Sequence, residues 1–82
     1  MKINKNIAIN EKGLLFNPST GESFTVNQIG ILIIKLLREE KPISKISELI
    51  TEEYEVDDIT VEKDILDFGY LLRNHNIIEK DA

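Results

Sequence analysis

His75 is the only imidazole in the sequence, and there is no cysteine. Thiol nucleophiles, disulfides, zinc ribbons and iron–sulfur ligation are thereby excluded. A lone histidine near the end of a helix reads as a surface residue that can interact with the helix C-terminus when charged. No second ligand stands beside it at metal spacing. A serine nucleophile needs a base, and no Ser–His–acid constellation is visible. Gly13, Gly21, Gly30 and Gly69 are scattered, so they form no phosphate-cradling loop. The acid pairs Glu39-Glu40, Glu52-Glu53 and Asp57-Asp58 are unsurprising in a chain with 15 acidic residues. They fall at helix ends or on solvated faces. The residue types point to a binding module that is not an enzyme and needs no metal and no cofactor.

Composition narrows what could be bound. The net charge of −5 repels phosphate backbones and anionic membrane surfaces. Proteins or peptides are therefore the expected partners, with no nucleic acid and no membrane. Residues 1–82 suffice for a single domain, and a core this thin leaves little for a deep pocket. The start of the chain, Met1 to Asn6, shows no apolar signal-like stretch. The greasy run Ile29–Leu37 is far shorter than the roughly 20 residues of a membrane span. A small unstapled chain is expected in the cytoplasm.

The elements that must position a binding surface follow from periodicity. Ile7 and Ile9 alternate with polar or small residues, Leu14-Leu15-Phe16 forms a second short run, and Glu22 to Val26 alternates again. Glu11-Lys12-Gly13 and Asn17-Pro18-Ser19-Thr20-Gly21 are turns. Three antiparallel strands are predicted, with Phe24 and Val26 on one face. The period then changes. Asn27 can cap a helix whose run Ile29–Leu37 is apolar almost all round, and which ends near Glu40. Ser44 is a candidate cap for a second helix with Ile46, Leu49, Ile50 and Tyr54 on one face. Lys45, Glu48 and Glu52 lie on its other face. Thr60 is a candidate cap for a third helix running to about Asn74, followed by the extended pair Ile77-Ile78.

The third helix carries more apolar residues than folding requires. At 100° per residue, Val61, Ile65, Phe68 and Leu72 cluster within about 60°, with Leu71 at one edge. Leu66 and Tyr70 point roughly 120° to 170° away from that stripe. Lys63, Gly69, Arg73 and Asn74 flank them. Gly69 costs about 1 kcal/mol of helix stability relative to alanine and allows another backbone to come close. Such a strip reads as one wall of a binding groove. It reads equally as a surface covered by the N-terminal strand or by a second copy. The strand Ser23–Val26 adds a sheet edge to which an extended peptide could join.

From about Gly13 to Ile78 the chain resembles the PqqD family, the RiPP recognition elements. Val26-Asn27 stands at the family's strand-to-helix junction, and the apolar helix follows at the family's distance. Ile43 to Leu49 looks like its second-helix entry, and Tyr54-Glu55-Val56-Asp57 like its Tyr-x-Val-Asp break. Asp64-Ile65-Leu66-Asp67-Phe68 matches its Asp-Val-x-x-Phe, with Leu71 or Leu72 and then Ile77-Ile78 after it. Asn76-Ile77 departs from the family's frequent Gly-Leu, and Gly69 replaces a common leucine.

The resemblance implies an α+β fold, winged helix-turn-helix-like, with a three-stranded antiparallel sheet followed by three helices. It implies a peptide chaperone that binds the leader of a ribosomally synthesised precursor peptide by strand addition. The leader is then presented to a radical SAM or other peptide-modifying enzyme, as in pyrroloquinoline quinone biosynthesis. Carried onto this sequence, Ser23, Phe24, Thr25 and Val26 form one wall of the site. Lys63, Leu66, Gly69, Tyr70 and Arg73 form the other, and truncation of Leu66 or Tyr70 is expected to weaken binding. Two other readings compete. One is a structural adaptor or homodimer using the same edge. The other, less favoured, is a winged-helix DNA-binding protein, against which stands the third helix's balance of −1 (Glu62, Asp64 and Asp67 against Lys63 and Arg73).

Overall fold

The computed structural model describes residues 2–79; Met1 and residues 80–82 of the expected 1–82 domain lie outside the described residues. The order is β1 (Ala8–Ile9), β2 (Leu14–Asn17), β3 (Glu22–Thr25), α1 (Gln28–Arg38), α2 (Ile43–Tyr54) and α3 (Asp58–Asn74). The strands form one antiparallel sheet in the order β1-β2-β3. This is the α+β architecture expected from the sequence. Among the described residues no helix is long and apolar enough to cross a membrane.

The register pairs Leu14 with Thr25, Leu15 with Phe24, Phe16 with Ser23 and Asn17 with Glu22. Leu15 is buried and Phe24 packs on the core, so this face of the sheet looks toward the helices. Leu14, Phe16, Ser23 and Thr25 lie on the outward face and are exposed. Gly13 makes the β1–β2 turn possible. Its φ is +88°, and an added Cβ would stand 2.2 Å from the Val26 carbonyl oxygen.

The core is aliphatic. Ile33, Ile34, Leu36 and Leu37 of α1 pack with Ile46 and Ile50 of α2 and with Val61, Ile65 and Leu72 of α3. A fully buried side chain of this kind contributes about 1.5–3 kcal/mol, so these three helices hold one another in place. The N-terminal segment supplies a contribution that periodicity did not single out. Ile3 is buried and bridges Ile78, with Asn4 N–H donating to Ile77 at 2.8 Å and Glu79 N–H to Lys2 at 2.7 Å.

Caps depart from expectation in two helices. Asn27 does cap α1, accepting from the Gly30 N–H at 2.8 Å. The N-cap of α2 is Pro42, without a side-chain cap bond, so Ser44 lies inside the first turn. The N-cap of α3 is Asp57, whose carboxylate accepts from both the N–H and the hydroxyl of Thr60. Asp57 wins because its carboxylate also complements the positive end of the helix dipole. At the other end of α3, Asn76 has φ 58°. Ile77 N–H donates to Leu72 at 2.8 Å, and Asn76 N–H to Arg73 at 3.1 Å. That is a Schellman closure. Asparagine tolerates this left-handed turn better than most residues, which accounts for Asn76 where the family often has glycine.

Candidate functional site

Among the described residues, β3 has a neighbour on one side only. In an antiparallel pair, successive residues point their N–H and C=O alternately toward and away from the partner. Val26 N–H donates to Gly13 at 2.8 Å, so Val26, Phe24 and Glu22 point inward. Ser23 and Thr25 therefore turn both their N–H and C=O groups to the free edge. This edge is four residues long and shows a row of unpaired backbone groups.

Beside the edge lies a groove of about 480 Å³. Thr25, Val26 and Asn27 line one side, Ile29, Gly30 and Ile33 of α1 the floor, and Asp64, Asp67, Phe68 and Leu71 of α3 the far side. Gly30 keeps that floor low. A Cβ there would come within 2.9 Å of Val26 Cβ and 3.4 Å of Phe68 Cζ. Among the described residues, neither Asp64 nor Asp67 is in an ion pair, so the rim of the groove is negative and uncompensated.

The other end of β3 is fastened to α3. His75 Nδ1 and Glu22 Oε2 are 2.7 Å apart, and the His75 ring lies over Phe24 with centroids 5.1 Å apart. Asn17 adds a second tie. Its buried amide donates to the His75 carbonyl at 3.3 Å, and its oxygen accepts from Ser19 N–H at 3.0 Å. Leaving such a buried amide unpaired costs about 1–3 kcal/mol. Strand and helix are thus held together at one end and diverge toward the groove at the other.

The structure brings together only part of what the sequence suggested. Ser23, Phe24 and Thr25 lie in the edge strand β3, and Val26 follows its end and lines the groove. Leu66, Gly69, Tyr70 and Arg73 surround a separate depression of about 170 Å³ that shares no residue with the groove. Lys63 lines neither. The wall facing β3 is instead Asp64, Asp67, Phe68 and Leu71. Helical periodicity shows which residues leave the core stripe, but not which flank of the helix turns toward the sheet. The signal that marks this flank is the i, i+4, i+7 row Asp64, Phe68, Leu71. Among the described residues there is no group of three or more His, Cys, Asp or Glu that could hold a metal ion.

A sheet edge beside a helix-walled apolar groove is a shape that suits an extended chain. The profile of the family described as Coenzyme PQQ synthesis protein D (PqqD) matches residues 12–78, and this chain belongs to that family. Among solved structures, it is similar to one described as TbiB1 in complex with the TbiA(beta) leader peptide. That similarity has 35% identity and a TM-score of 0.87, over 100% of this chain and 99% of that one. It also resembles a lasso peptide synthetase B1 complexed with the leader peptide (22% identity, TM-score 0.85, 96% of each chain). A third is the PqqD truncation of Methylobacterium extorquens PqqCD, described as a functional, stand-alone RiPP recognition element. It is 20% identical with a TM-score of 0.78, over 96% of this chain and 87% of that one. No curated protein sequence matches this chain.

Proposed function

We propose that this chain binds the leader segment of a ribosomally synthesised precursor peptide and presents it to a modifying enzyme. The observation that carries the reading is the free edge of β3 lying beside an apolar groove walled by α3. An added strand would exchange backbone hydrogen bonds with Ser23 and Thr25. Its side chains alternate, so every second one would enter the groove against Phe68 and Leu71. Asp64 and Asp67 at the rim favour a leader with a basic side chain there. Backbone pairing supplies affinity, and the groove supplies selectivity.

The likeness to two proteins described in complex with leader peptides supports the same reading. Binding and presentation need no catalytic group, which agrees with the scattered chemistry of the side chains. Residues 1–82 act as one domain, and the work is done in the cytoplasm, where precursors are synthesised. The receiving enzyme is a radical SAM protein or another peptide-modifying enzyme.

The test is NMR titration of the chain with the precursor peptide encoded beside its gene. Micromolar or tighter binding is expected, with shifts concentrated at Ser23–Val26 and Asp64–Leu71. Unmoved resonances in both segments at saturating peptide would overturn the reading.

A further inference from the structure

The start of β3 is the least covered part of the strand. Glu22 and Ser23 are both exposed, and among the described residues no strand lies beyond them. The two edge groups of Ser23 belong to different peptide planes. Its N–H lies in the plane shared with Glu22, and its C=O in the plane shared with Phe24. The aim of both groups therefore depends on how firmly Glu22 and Phe24 are held.

One side chain holds both. Glu22 and Phe24 project from the same face of the strand. Nδ1 of His75 lies 2.7 Å from Oε2 of Glu22, and the same ring lies against Phe24 with centroids 5.1 Å apart. A carboxylate only accepts, so Nδ1 is the donor. The imidazole stands on a fixed backbone. His75 N–H donates to the Leu71 carbonyl at 3.2 Å, and the His75 carbonyl accepts from the buried amide of Asn17 on β2. Anchored to α3 and β2, His75 thus grips β3 on both sides of Ser23.

We propose that His75 is a positioning residue for strand addition: through Glu22 and Phe24 it holds the peptide groups of Ser23 in line for an incoming extended chain. The guest rests on the leader-binding reading above; the ordering of the edge does not. The side chains of His75 and Glu22 are 37% and 47% exposed, and ion pairs as open as this add little to global stability. The effect is local. An edge already ordered loses less freedom when a strand docks, so affinity rises without any contact between His75 and the guest.

Backbone order parameters of the free chain, with calorimetric leader titration of the same variants, test this. In His75→Ala the order parameter at Ser23 should fall from about 0.85 toward about 0.6, while α1 and the melting temperature change little. Leader affinity should drop about fivefold. Glu22→Ala should cost about threefold in the unmodified chain and almost nothing once His75 is alanine, because the two act through one contact. His75→Asn, whose amide nitrogen can take the place of Nδ1, should restore affinity to within about twofold. Unchanged order at Ser23 in His75→Ala overturns the proposal. So does a loosened edge with undiminished affinity, or independent effects of Glu22→Ala and His75→Ala. A loss of affinity that follows a general loss of order across sheet and helices makes His75 merely structural and also overturns it. An unmodified chain that binds no leader overturns the leader reading instead, and the order parameters alone then decide whether His75 orders the edge.

Discussion

On one flank of α3, Phe68 and Leu71 stand behind a strand edge with unpaired N–H and C=O groups. On the other, Leu66 and Tyr70 stand exposed, with the shallow depression they line leading down to the buried Gly69. Both flanks are apolar with charged neighbours, yet only one of them adjoins a strand edge. The inner flank offers directional backbone hydrogen bonds at strand spacing, so its guest must be extended. The outer flank offers exposed side chains with no backbone edge beside them. Apolar area alone does not distinguish them; the neighbouring backbone does.

Substitutions can separate the two flanks. The largest effect is expected for Thr25→Pro. Proline removes an N–H that faces the free edge and leaves a bound peptide carbonyl unpaired, at a cost of about 1–3 kcal/mol. Leader affinity measured by calorimetry should fall roughly ten- to a hundredfold. Folding stability should change little, because the N–H lost makes no bond to β2. If leader affinity survives, strand addition is not the binding mode.

Leu71→Ala should weaken leader binding about fivefold in the same measurement, from about 1 kcal/mol of lost apolar contact in the groove. Asp64→Asn and Asp67→Asn should each cost about two- to threefold with a leader that places a basic side chain at the rim. That effect should vanish at high salt. Leu66→Ala and Tyr70→Ala should leave leader affinity within about twofold, since isolated surface truncations away from a contact have small effects. A large loss in either would place the peptide across both flanks of α3.

Much of the fold was legible in the sequence. The switch from period 2 to period 3.6 at Asn27 located the border between sheet and helices, and the core stripe of α3 was placed correctly. The flank that meets the sheet was not legible. Angular position says how far Leu66 and Leu71 stand from the core stripe, whereas the crossing of α3 against α1 and β3 decides which of them sees the edge. That crossing is set by long-range packing around Gly30 and Phe68, which no local window contains. Caps were hidden for a related reason. Asp57, Ser44 and Thr60 are all chemically able to cap, and where each falls relative to the first helical turn, which the sequence leaves open, decides whether it does. Asn17 reads as a turn residue, and it does end β2. Its burial against the carbonyls after α3 is a contact across 58 residues, beyond the reach of any local pattern.

The bridge between Ile3 and Ile78 has a consequence for how this domain can be used. Chain enters and leaves the fold at adjacent points, against the C-terminal end of α1 near Leu37 and Arg38. The groove floor, Ile29, Gly30 and Ile33, lies toward the N-terminal end of that helix. The fold therefore has its two leads side by side, lining a different surface from the groove. It can be appended to another protein, or spliced into a surface loop whose ends lie close together, without covering the place where a guest strand docks.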